Sequence, residues 1–192
     1  MHIALIAGSN RKNAASTNML RYMEKVLTHH GMSVAFVDLY RLQLPLYSPD
    51  KETLQPQVVA FLHTVKSADG LILATPEYHG SLSGTLKNAL DYMDASLVSG
   101  KPVLTVSTAG GPLGTSSLTH LQSIVRNLHG VLCPEWISIG AGFHDFNQNG
   151  EPAHEEIRQR INSAVRTYLE LVRKLRSGAQ LPADEVLEVK QR

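Results

Sequence analysis

Residues 8–18 read Gly-Ser-Asn-Arg-Lys-Asn-Ala-Ala-Ser-Thr-Asn and lead from an apolar run straight into a helical pattern. The hydroxyls of Ser9, Ser16 and Thr17, the Asn18 amide and the Arg11 guanidinium can converge there with the free N–H groups of a helix start. That donor set suits one terminal phosphate. The same residues also read as an ordinary N-cap, with Ser16 as the capping hydroxyl and Arg11 and Lys12 in solvent. A second segment holds Pro76, Glu77, Tyr78, His79, Gly80 and Ser81. Its proline fixes the chain and its glycine permits a positive φ, so backbone N–H and C=O groups can meet a flat heterocycle edge-on. A third, Thr108, Ala109, Gly110 and Gly111, has almost no bulk, and a planar ligand could lie against its backbone. Each segment taken alone reads as well as a rigid turn. Together they favour a phosphorylated, planar cofactor.

Other chemistries fit less well. The first loop has neither the second Gly and Lys of a Walker loop nor the spacing of G-x-G-x-x-G. Residues 80–84, Gly-Ser-Leu-Ser-Gly, do not centre a serine as a hydrolase elbow does. Asp145, Asn147, Asn149, Gly150 and Glu156 match a calcium-loop pattern, but the preceding WISIGAGF reads as strand where an entering helix is required. A polar strand-to-helix connection is the better reading. The nine histidines show no zinc-binding spacing, so no metal site is expected. Cys133, the single cysteine, precedes Pro134 in an apolar setting and reads as an inert buried thiol.

These segments need a scaffold that brings them to one edge. With 192 residues, 43% of them hydrophobic, the chain can bury a substantial core, and a single compact domain is the expectation. Lys and Arg total 18 against 17 Asp and Glu, a net +1 that supplies no field to hold nucleic acid or an anionic membrane. No run approaches a membrane span and the amino terminus lacks a signal sequence, so a soluble, cytoplasmic protein is expected. Apolar runs at 2–7, 33–38, 70–75, 102–107 and 136–140 read as strands. They alternate with helical periodicity at 17–30, 55–67, 84–97, 116–128 and 155–175, the pattern of βα units about a parallel sheet. The helix at 84–97 carries more apolar surface than one face requires, which suggests a subunit interface. In a doubly wound sheet, ligands lie beyond the carboxyl ends of the strands. That rule selects the loops after the first, third and fourth strands, which are the three segments above.

The motifs GSNR (8–11) with STN (16–18), PEYHGSLSGTLKNALDY (76–92) and STAGGPLG (107–114) resemble the NADPH-dependent FMN reductase family. The resemblance covers about residues 1–175, and the block at 76–92 is its most specific part. It implies a flavodoxin-like α/β fold: a doubly wound, five-stranded parallel sheet in three layers, with the domain expected over 1–177; residues 178–192 match nothing diagnostic and read as an exposed C-terminal arm. By motif, Ser9, Arg11, Ser16, Thr17 and Asn18 would hold the FMN phosphate. Pro76, Glu77, Tyr78, His79, Gly80 and Ser81 would line the isoalloxazine, and Thr108, Ala109, Gly110 and Gly111 would close its far side. Asn10 receives no role, because the family's motif varies there. The implied activity is hydride transfer from NADPH or NADH to FMN, with electrons passed on to a flavin, quinone, azo compound or similar small acceptor. The flavin supplies the chemistry, so no catalytic side chain is assigned. The family is usually dimeric or tetrameric, which implies a homo-oligomer, a homotetramer among the possibilities. The alternative is an FMN-binding electron carrier or redox sensor without NAD(P)H oxidation of its own, although a net +1 offers little of the charged face that a carrier uses.

Overall fold

The computed structural model describes residues 1–51 and 53–177; the expected arm at 178–192 lies outside the described residues. Five strands form one parallel sheet: β1 (His2–Ala7), β2 (Ser33–Asp38), β3 (Gly70–Tyr78), β5 (Pro102–Thr108) and β6 (Val131–Ile139). A two-residue β4 (Ser81–Leu82) pairs antiparallel with the end of β3. The order is β2-β1-β3-β5-β6, and the chain reverses direction across the sheet between β1 and β3. This is the doubly wound, flavodoxin-like arrangement. Helices α1 (Ala15–His29) and α6 (Glu155–Ser177) share one core with one face of the sheet, around Ile3, Leu5, Ile72, Leu104 and Ile137. On the other face, α2 (Pro56–Ser67), α3 (Gly84–Asp91), α4 (Ala95–Val98) and α5 (Thr115–Asn127) pack on Ala4, Ile6, Leu71, Leu73 and Val103. Both faces are covered, which is why β3 reads as a continuous apolar run.

Three expectations need correction. The helix expected over 84–97 is two helices, α3 and α4. The chain breaks at Tyr92–Asp94, where the Asp94 carboxylate caps α4 by accepting from the Ser96 N–H at 2.8 Å. These Ser96 hydrogen bonds hold the Asp94 carboxyl below its usual range. The apolar surplus of that segment is consumed within the chain: Leu86, Ala89, Leu90 and Met93 are buried, and Tyr92 stands edge-on to Tyr47 and donates to the Pro45 carbonyl at 3.0 Å. The last strand begins at Val131, five residues before the expected start, because the pairing of β6 with β5 shifts between Val103 and Thr105. Pro134 falls within that irregularity, a position a proline can hold on an edge strand. Cys133 beside it is buried, and desolvation pushes its thiol up, away from the reactive thiolate.

The calcium-loop match folds as a turn. Asn147 Oδ1 accepts from the N–H groups of Asn149 and Glu151, and Phe146 bridges Pro152 as a strand pair. The end of α5 carries a testable cost. Its terminating residue is His129 at φ 60°, whose N–H donates to Arg126 O while the Gly130 N–H donates to Val125 O. Glycine is the residue suited to that position. His129→Gly is expected to stabilise the protein by about 0.5–1 kcal/mol, read as a higher urea midpoint, because the left-handed conformation costs an L-residue about 1–2 kcal/mol and glycine's added chain entropy returns part of that.

Candidate functional site

The first loop leaves β1 and enters α1 without a capping side chain. Ala14 occupies the cap position, and the first turn holds no acidic residue. Ser16 is therefore not the N-cap; it is the second residue of α1, on the buried side of its first turn, because the helix starts at Ala15. The first intrahelical bond is Asn18 N–H to Ala14 O at 2.9 Å, which leaves the N–H groups of Ala15, Ser16 and Thr17 pointing off the helix end. Ser9 is fully buried, and its Oγ accepts from the Arg11 N–H at 3.2 Å. The Ser16 and Thr17 hydroxyls are buried and without hydrogen-bond partners among the described residues. A buried hydroxyl left unpaired costs about 1–3 kcal/mol, so two side by side at an uncapped, electropositive helix end form a cradle for an oxygen-rich anion. Arg11 is exposed beside it, with no ion pair among the described residues.

The second loop is a hairpin. His79 and Gly80 sit at φ 51° and 73° between the paired ends Tyr78 and Ser81, as a two-residue turn of the mirror-image type requires. Pro76 is the last residue of β3 that pairs β5, opposite Thr108, so the second and third loops start side by side. Thr75 closes the base of the hairpin. Its hydroxyl accepts from the Ser83 N–H at 2.9 Å and donates to Pro76 O at 2.9 Å, and Ser83 Oγ both accepts from the Leu86 N–H as the cap of α3 and donates to Gly8 O. Glu77 Oε2 accepts from the Ser117 N–H at 2.8 Å, in the first turn of α5. The Glu77 side chain is thus engaged within the protein. Its carboxylate complements the amino end of α5 and ties the second loop to the third, while the residue still lines the cleft. Glu77→Ala is expected to cost about 1–2 kcal/mol in stability by removing an N-terminal cap, with Glu77→Gln losing less. Thermal unfolding of the two variants checks this order.

The third loop is set by two backbone contacts. Ala109 N–H donates to Ile139 O at 2.9 Å, and Ala141 N–H donates to Gly111 O at 2.8 Å. A Cβ on Gly140 would stand 1.9 Å from Pro112 O, so this loop lies against the backbone that follows β6.

Arg11, Pro76, Glu77, Tyr78, Thr108, Ala109 and Gly110 together line one cleft of about 270 Å³, at the carboxyl ends of β1, β3 and β5. Asn13, Ala14, Ala15 and His144 complete its walls and were not anticipated. Ser9, Ser16 and Thr17 lie at the α1 end beside it. His79 and Gly80 form the hairpin tip, Ser81 turns away to hydrogen-bond His120 Nδ1 at 2.9 Å, and Gly111 serves through its carbonyl. Asn18 sits half-buried on α1 without a side-chain hydrogen bond among the described residues. Nothing local in the sequence marked His144 or Gly140, because both reach the site only through the pairing of β6 with β5.

The profile of the NADPH-dependent FMN reductases matches residues 1–144, three quarters of the chain, and spans all three loops. The chain belongs to the NADPH-dependent FMN reductase family. An FMN-dependent NADPH-azoreductase of Staphylococcus haemolyticus is 33% identical over 139 residues, covering 70% of this chain and 74% of that protein. Its namesake from Staphylococcus aureus is 33% identical over 153 residues, covering 76% of this chain and 80% of that one. Among solved structures, the flavoenzyme NAD(P)H:(acceptor) oxidoreductase FerB of Paracoccus denitrificans superposes with a TM-score of 0.75 at 20% identity, covering 90% of this chain and 97% of FerB. The latter likeness speaks to fold alone. The family's reaction makes this reductase an NAD(P)H–FMN oxidoreductase with FMN and NADPH as cofactors. No helix among the described residues is long and apolar enough to cross a membrane.

Proposed function

We propose that this reductase holds FMN in the three-loop cleft and passes electrons from NADPH to a small azo- or quinone-type acceptor. The observation that carries the reading is the pair of buried, unpartnered hydroxyls, Ser16 Oγ and Thr17 Oγ1, at an uncapped helix end beside the cleft. Bound FMN supplies the redox chemistry, taking a hydride from NADPH and giving up two electrons to the acceptor. The protein's own residues bind and orient. The N–H groups of Ala15, Ser16 and Thr17, with the hydroxyls of Ser9, Ser16 and Thr17 and the Arg11 guanidinium, hold the phosphate, and Asn18 supports that end of α1. Pro76, Glu77 and Tyr78, braced by the His79–Gly80 turn and Ser81, present backbone to one edge of the ring system. Thr108, Ala109, Gly110 and Gly111 supply a surface of low bulk on its far side.

The azo acceptor comes from the names of the two staphylococcal relatives, and the quinone is its two-electron counterpart. A homodimer or homotetramer in the cytoplasm is part of the same proposal. Its support is the family and the exposed side chains of Tyr40, Leu46 and Tyr47 in the β2–α2 connection. Light scattering at micromolar concentration tests the assembly, and a monomer would remove it.

The activity is tested by an anaerobic visible spectrum of the protein with one equivalent of FMN, before and after NADPH. Bleaching of the flavin band in near-stoichiometric proportion to NADPH is the expected result. A perturbed band that NADPH does not bleach would point to a carrier or sensor. A spectrum identical to free FMN would remove the cleft assignment.

A further inference from the structure

His144 follows β6 by five residues, and its imidazole lines the cleft with Tyr78, Thr108, Ala109 and Gly110. Its Nε2 lies 3.2 Å from Ile139 O, a carbonyl that also accepts the Ala109 N–H at 2.9 Å. A carbonyl can only accept, so Nε2 donates in this contact and Nδ1 is the ring nitrogen outside it. The ring is thereby fixed by the same atom that fixes the third loop. Its neighbour Phe143 is also held, with its ring centroid 4.8 Å from that of His154. The remaining titratable groups on the cleft are Arg11, Glu77 and Tyr78. Arg11 is exposed, and Glu77 is bonded to the Ser117 N–H. An imidazole held through Nε2 on the wall of the cleft is more than a surface loop needs.

We propose that His144 is the proton donor to the reducible acceptor, a role that rests on the flavin reading above. Reduction of a quinone takes two electrons and two protons. NADPH supplies both electrons and one proton as hydride, which FMN held in the cleft would relay, and leaves as NADP⁺. The second proton passes from the protonated Nδ1 of His144 to a quinone oxygen, forming the hydroquinone O–H bond. Water then restores the proton to Nδ1. An azo compound uses the same balance, with its two nitrogens in place of the two oxygens.

The test compares two acceptors on the FMN-loaded, NADPH-reduced protein. Benzoquinone takes up protons; ferricyanide takes electrons alone. His144→Gln keeps an amide N–H that can reach Ile139 O but has no group that titrates, so the loop stays anchored and the acid is lost. The expected result is a fall of about 100-fold in the ratio of benzoquinone to ferricyanide reoxidation rates, the lower range for general acid catalysis. An unchanged ratio overturns the proposal, as does a parallel loss with both acceptors, which would mark a structural role only. A selective loss in Tyr78→Phe but not in His144→Gln also overturns it, by naming the phenol as donor. A readout independent of turnover is the imidazole nitrogen spectrum of the FMN-free protein. In the neutral ring, observed at alkaline pH, Nε2 should carry the hydrogen and Nδ1 the lone pair; the reverse tautomer overturns the assignment. Failure of NADPH to bleach the wild-type flavin is a separate outcome that sinks the flavin reading itself and the inference with it.

Discussion

Replacing Gly140 by alanine is expected to destabilise the reductase by about 3 kcal/mol or more, the upper range for forcing an extra methyl into packed backbone. The added Cβ would lie 1.9 Å from Pro112 O and 2.5 Å from Pro112 C, and neither is the end of a flexible side chain. Relief requires the third loop to lift off the segment after β6. That movement would stretch the Ala141–Gly111 hydrogen bond and shift the cleft wall at Ala109 and Gly110. FMN affinity should therefore fall together with the urea midpoint. Gly110→Ala is the contrasting control. A Cβ there meets nothing within 4 Å and its φ is not positive, so folding should change by about 0.5 kcal/mol or less, while the methyl intrudes on the cleft and weakens FMN. If Gly140→Ala unfolds at the wild-type midpoint, the close approach of the two loops is wrong.

The double substitution Ser16→Ala, Thr17→Val is expected to move stability and binding in opposite directions. Both hydroxyls are buried without partners in the protein alone. Removing them relieves a desolvation cost, and the FMN-free protein should gain about 1–2 kcal/mol. FMN affinity should drop by about 10- to 150-fold, the equivalent of losing about 1.5–3 kcal/mol of hydrogen bonding to a charged group. Arg11→Ala should weaken FMN by a similar factor with almost no change in folding, because its side chain is exposed and has no ion pair among the described residues. The measurements are paired: urea unfolding without FMN, and flavin fluorescence titration with it. A loss of stability in the FMN-free double variant would mean that the hydroxyls serve the fold, and the phosphate assignment would fail.

These two predictions draw on different levels of information. The alternation of strand and helix, the parallel sheet and the three ligand-facing loops are legible in the sequence because each depends on local periodicity and on glycine, proline and hydroxyl residues near strand ends. The break between α3 and α4 was less legible. Tyr92 and Met93 continue the helical spacing, and it is Asp94, reaching the Ser96 N–H, that restarts the chain. Whether Ser16 caps the helix or faces a ligand is also not legible locally, because the first hydroxyl before an apolar stripe suits either role. The helix begins at Ala15, which places the Ser16 hydroxyl inside the first turn, buried and without a partner among the described residues.

By itself the sequence determined the elements, the fold class and which loops face a ligand, since these follow from residue type and spacing along one stretch of chain. Only the tertiary structure decided the partners of Glu77, the intimacy of Gly140 with Pro112, and the arrival of His144 on the cleft. Each joins residues 28 or more positions apart, through strand pairing or helix packing whose register no local pattern encodes. The physical reason is that hydrogen-bond complementation and steric exclusion act across space, whereas periodicity acts along the chain.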